Sequence, residues 1–249
     1  MGDPPRLYGL KALVLNGGGG IGEAVARTLT KHGAKVLAVD KPGNGAERHF
    51  ASVKGIDGYS ASLTDAAKIP AIVEHAAEHL GGIDILVNEF PLQPDAPISA
   101  VDAEFDRLLK ARADLTLTAC RAALPHLKKS PAGRIINMGF LRSTFAVDGE
   151  EPYARAERDL AAMTRALAAE CGDSGILSNY VQPGAIMTPV SREVFRKHKK
   201  LRDYCIASSA ASRVGEPVDV AKVVLFLASD DAVFISGAGI AVNGGWMAD

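Results

Sequence analysis

The sequence predicts a doubly wound α/β fold, a largely parallel sheet with helices on both faces. Short apolar runs alternate with longer helical patterns along the chain, and this alternation is how βαβ units are spelled. The short runs are rich in Val, Ile and Leu without a polar residue at every second place, as for strands buried on both sides. A glycine-rich stretch, "NGGGGIG", separates the first run from the first helical pattern.

Taken in order, "LKALVLN" (10–16) is the first strand, followed by a helix over 21–32. "AKVLAVD" (34–40) is the second strand, and a weaker one lies near "GIDGYSA". A helix over 65–80 leads to "DILVNE" (84–89), and one over 100–127 to "GRIINM" (133–138). A helix over 152–171 precedes "ILSNYVQ" (176–182), and a last one over 217–229 precedes "GIAVN" (239–243). Repeats, low-complexity tracts and linkers are absent, so residues 1–249 are expected to form a single domain.

Net charge is −1, which removes the basic excess that nucleic-acid binding needs. Three well-separated cysteines, Cys120, Cys171 and Cys205, are too few for a disulfide scaffold and fit buried thiols in a reducing compartment. The first residues show neither a signal-peptide core nor a myristoylation pattern, and no apolar run is long enough for a bilayer. A cytoplasmic protein without membrane or nucleic-acid partners is expected.

The glycine-rich stretch lies between a strand and a helix, the context in which glycines let the backbone approach a pyrophosphate at a helix N-terminus. Asp40 closes the second strand eighteen residues after Gly22. A carboxylate there can accept from ribose hydroxyls and repels a 2′-phosphate, which favours NAD over NADP. A glycine-rich turn with no ligand is the alternative.

With "GGGGIG", "IDILVN", "GRIIN", Tyr153, "VQPGAIMTP" and "FLASDDAVFISGAGIAVNGGW" in place, the chain resembles the short-chain dehydrogenase/reductase family along essentially its whole length. The resemblance implies a seven-stranded Rossmann-type sheet with cofactor and substrate at the C-terminal strand ends. By matching positions it implies cofactor contacts at Asn16, Gly18, Gly20, Ile21, Gly22, Asp40, Ser62, Leu63 and Asn88. Pro183, Gly184, Ile186 and Thr188 would lie at the nicotinamide.

The same resemblance implies a catalytic Ser, Tyr, Lys and Asn, of which Tyr153 alone is matched. Thirteen residues earlier stands Phe140, four residues later Glu157, and the Asn position holds Arg112. A lysine lowers the tyrosine pKa towards working pH, whereas a carboxylate disfavours tyrosinate. Phe140 has no donor for a substrate oxygen, and losses of this kind cost orders of magnitude in rate. The family's mechanism is therefore expected to be absent. Arg112 and Glu157, of opposite charge on neighbouring helices, are expected to pair.

The cofactor end departs as well. Asn16 stands for the first glycine of the loop and tolerates a left-handed backbone. Ser62 replaces an Asp, and "NEFP" (88–91) replaces Asn-Asn-Ala-Gly, with Phe90 and Pro91 expected to crowd the adenosine side.

Two weaker signals remain. "HAAEH" (His75, Glu78, His79) has a zinc-enzyme spacing, but it falls on an outer helix and reads as solvated surface, so no metal is expected. "SREVFRKHKKLR" (191–202) concentrates positive charge where the family carries its substrate lid. It reads as a solvated helix face, a clamp for an anionic substrate such as an acyl-CoA, or a docking patch for an acidic partner.

Three functions are weighed. The first is a catalytically defective subunit that assembles with an active, homologous NAD-dependent dehydrogenase, or as a homo-oligomer (dimer or tetramer), and acts on a hydroxyacyl-CoA or similar alcohol or ketone. The second is an active NAD-dependent alcohol/ketone oxidoreductase using Tyr153 with atypical partners. The third, a non-redox enzyme resembling halohydrin dehalogenases, needs a Ser-Tyr-Arg set that Phe140 and Glu157 do not fit.

Overall fold

The computed structural model describes residues 6–43, 45–90, 103–139 and 150–246, with the backbone alone for 103–106 and 150–154. Seven parallel strands form one sheet: β1 (Lys11–Leu15), β2 (Lys35–Asp40), β3 (Ile56–Ser60), β4 (Ile85–Asn88), β5 (Arg134–Met138), β6 (Leu177–Pro183) and β7 (Gly239–Val242). Their spatial order is β3-β2-β1-β4-β5-β6-β7. The direction of winding reverses between β1 and β4, and in such sheets the crevice at that reversal is where ligands bind.

Strand β1 shows why the sheet needs two helical layers. Ala12 and Val14 point to one face and Leu13 and Leu15 to the other, and all four are buried. The first face is covered by α1 (Gly20–Lys31) and α8 (Pro217–Ala228), which bring Val25, Leu29, Val220 and Val224. The second is covered by α3 (Ile69–Leu80) and α4 (Ala103–Leu127), which bring Val73, Ala119 and Ala123, and by Leu167 and Cys171 of α5 (Glu150–Cys171). Two-sided burial accounts for the absence of polar alternation.

Beyond the elements read from sequence, α2 (Ala46–Phe50) is a short helix after β2. The basic stretch is split into α6 (Pro189–Lys197) and α7 (Lys199–Ala207). Thr188 caps α6, accepting from the Ser191 N–H at 3.2 Å while its own N–H donates to Ser191 Oγ at 2.7 Å. Phe195, Cys205, Val214 and Trp246 form a small separate core beneath these helices. Most of the basic side chains point outward, Arg196 to Glu193 at 2.9 Å. No helix among the described residues is long and apolar enough to cross a membrane.

Candidate functional site

The crevice opens where β1 and β4 end. After Leu15 the chain turns through Asn16, whose φ of 59° is left-handed, and enters α1 at Gly20, with φ 54°. Asparagine accepts this conformation more readily than most residues, which is how it replaces a glycine here. Close packing fixes the glycines that follow. A Cβ on Gly22 would lie 2.1 Å from the Asn16 carbonyl, and one on Gly18 would lie 2.3 Å from Asp40 Oδ2. Gly19 meets nothing within 4 Å, so the turn is open on that side. The first N–H groups of α1 face this opening, as at any helix start.

Asp40, the last residue of β2, is buried beneath Gly18 and accepts from the Lys41 N–H at 2.6 Å. Ser62 is within 3.2 Å of the Thr64 hydroxyl, and Leu63 is buried in the core. Ile21 packs partly against the α1 side of the core. Asn88 is also inside: its amide donates to Asn137 Oδ1 at 2.8 Å and lies 3.2 Å from Cys120 Sγ, tying β4 to β5 and α4. Burial pushes the Cys120 thiol up to about 12.

Across the crevice, Pro183 ends β6 and Gly184 donates to Val242 at 2.8 Å. Ile186 is buried and bridges to Gly215. Thr188 stands beside the glycine turn, its Cγ2 being 3.5 Å from where a Gly20 Cβ would be. The strand-end segments named from sequence on either side are thus brought together.

Tyr153 is in the first turn of α5, and its side chain lies outside the described residues, as do Phe140 and Pro91. Glu157, half-buried one turn further on, accepts a hydrogen bond from the Gln182 side chain. Arg112 is buried and donates to the Met138 carbonyl at 2.9 Å and to the Gly139 carbonyl at 3.5 Å. The ion pairs among the described residues do not join Arg112 to Glu157, contrary to expectation: the guanidinium reaches the backbone at the end of β5, and the carboxylate turns to β6.

Phe90 also corrects the sequence reading. It is buried in the core with Leu63 and Leu115 and does not crowd the crevice. Glu89 takes that side instead, its carboxyl accepting from Asn16 Nδ2 at 2.8 Å. Its burial raises the pKa to about 7, against the opposing effects of Asn16, Arg112 and the Gly22 N–H. Neither Glu89 nor Gln182 was found from sequence. For Glu89 a signal existed: continuing the two-residue alternation of β4 past Asn88 puts Phe90 with Leu86 and turns Glu89 the other way.

On the outer helix, His79 is 2.9 Å from Asp57 and His75 stacks on Tyr59. Among the described residues no group of three His, Cys, Asp or Glu is arranged to hold a metal ion.

Residues 17–247 match the family model described as Enoyl-(Acyl carrier protein) reductase. A 3-oxoacyl-(acyl-carrier-protein) reductase of Salmonella typhimurium is 33% identical over 237 residues, covering 94% of this chain and 96% of the relative. The protein of that name from Pseudomonas aeruginosa is 34% identical over 244 residues, covering 96% and 98%. The ligand-free structure of an aldohexose dehydrogenase from Thermoplasma acidophilum has a similar fold, with a TM-score of 0.83 over 97% of this chain and 95% of that one, at 23% identity.

Proposed function

Because this chain belongs to the short-chain dehydrogenase/reductase family of oxidoreductases, we propose that it is a dinucleotide-binding subunit of that family that has lost the proton-transfer machinery. The observation that carries this reading is the use made of the lysine and asparagine positions. Glu157 and Arg112 are held by Gln182 and by the carbonyls of Met138 and Gly139, as structural groups. At the lysine position Glu157 brings a carboxylate, which disfavours tyrosinate where an ammonium would favour it.

The glycine turn fits a dinucleotide. It is open at Gly19, it has no space for side chains at Gly18 and Gly22, and it ends in the first turn of α1. Gly20, Ile21 and Gly22 would hold the pyrophosphate, Asp40 and Ser62 the adenosine side, and Gly184 and Thr188 the nicotinamide side. A bound nicotinamide supplies hydride chemistry. Asp40 favours NAD over NADP, because a 2′-phosphate would bring negative charge towards a buried carboxylate.

The partner in this reading is an active homologous dehydrogenase in the cytoplasm, with a CoA-linked or similar alcohol or ketone as the substrate of the assembly; a homo-oligomer is the alternative partnership. Two surfaces support assembly. A groove between α4 and α5 is lined by Leu109, Ala113, Leu117, Leu160 and Met163, and Phe234 before β7 is fully exposed.

The test is the purified chain with NADH and NADPH and a panel of ketones, including 3-oxoacyl thioesters. Binding of NADH in preference to NADPH, with no turnover, is expected. Turnover in the usual enzyme range that disappears in Tyr153→Phe overturns the proposal and makes the chain an active oxidoreductase.

A further inference from the structure

Glu89 stands in the crevice for a structural reason. Phe90 is drawn into the core, and the next side chain back along the strand direction must face the other way, towards the glycine turn. There Glu89 Oε2 accepts from Asn16 Nδ2 at 2.8 Å and would be 3.0 Å from a Cβ on Gly22. The nearby Gly22 backbone N–H also favours the ionised form of the same carboxyl. Gly22 is in the first turn of α1, so an anion of the chain itself already engages the helix end that would face a pyrophosphate.

The groups that face this carboxyl come from each neighbouring element. Asn16 on the turn and Gly22 on α1 are neutral donors. Arg112 on α4 is a cation that favours the carboxylate, and Asp40 on β2 is an anion that opposes it. Arg112 spends donors on two carbonyls, so its charge is partly engaged elsewhere. Two negative phosphates brought to the same helix end as an ionised Glu89 would repel it.

We propose that Glu89 belongs to the dinucleotide site and makes binding proton-linked: the pyrophosphate is accepted while Glu89 carries a proton and is repelled once the carboxylate forms. This rests on the dinucleotide reading above. When binding occurs with Glu89 ionised, one proton leaves solvent or buffer and joins the Glu89 carboxylate, and on release of the dinucleotide it returns.

The experiment titrates the full chain and Glu89→Gln with NADH by calorimetry at several pH values from 6 to 9, in buffers of different ionisation enthalpy. In the parent protein, affinity should fall by up to about tenfold per pH unit above the Glu89 transition, with uptake approaching one proton. In Glu89→Gln it should be flat and, at pH 9, tens of times tighter than in the parent. A flat profile in a parent protein that binds NADH overturns the proposal and leaves the dinucleotide reading standing, as does a slope that survives in the variant. No binding by either chain at any pH overturns both. Carbon-13 NMR of the Glu89 carboxyl in the parent protein decides independently of how the variant folds. Its midpoint should rise when NADH is added, and an unmoved midpoint overturns the proposal.

Discussion

Gln182 on β6 donates its side-chain amide to the Glu157 carboxylate on α5. This bond crosses from the sheet to the helix that bears Tyr153, so it holds Glu157 in the sheet-facing orientation. Gln182→Leu removes the donor from a half-buried carboxylate and should cost about 1–3 kcal/mol in urea denaturation. Glu157→Gln should cost less, because an amide can still pair with Gln182.

Arg112→Met should cost a similar ~1–3 kcal/mol, since it takes a charged donor from the carbonyls of Met138 and Gly139. It has a second, diagnostic effect. Arg112 is the cation that favours ionised Glu89, so its removal should move the Glu89 midpoint upward by carboxyl NMR. An unmoved midpoint would mean that the two charges are screened from each other.

Glu89 also gives the fold a pH dependence of defined sign. Burial raises its pKa from 4.5 to about 7 in the folded chain. Between those values the folded state holds the proton more firmly than the unfolded state, so stability falls as pH rises. The contribution is complete below about 4.5 and lost as pH passes about 7, on the order of 3 kcal/mol in all. Thermal or chemical denaturation across this window should show the decline, and Glu89→Gln should flatten it.

The glycine turn separates two kinds of glycine. Gly22→Ala drives a Cβ to 2.1 Å from the Asn16 carbonyl and should cost about 1–3 kcal/mol or more, because backbone must move. Gly19→Ala enters open space from an extended conformation (φ −165°) and should change stability by under about 0.5 kcal/mol. Equal costs in calorimetric melting would show that the turn is held by something other than this packing.

The strands were legible because two-sided burial leaves uniform apolar runs, and Asn16 was legible because few other residues take its backbone angle. The arrangement around Arg112 and Glu157 was not. Opposite charges at facing positions suggested a pair, but a long guanidinium stem can reach backbone carbonyls, and nothing local in the sequence marks them as acceptors. Gln182 was hidden for a related reason: it lies in an apolar strand whose register against α5 is set only by the tertiary fold. Phe90 misled because its bulk was weighed before the direction that strand alternation gives it.

The three cysteines give a practical opening. Cys120, Cys171 and Cys205 are all buried, and burial raises each thiol. Thiolate is the reactive species, so maleimide dyes and nitroxide labels should pass the native protein by. A single cysteine introduced on the exposed side of α7 would then carry a probe selectively, with every native side chain of the core left in place. Subunit exchange with a candidate partner could be followed by energy transfer in solution, without redesigning the protein to remove competing thiols.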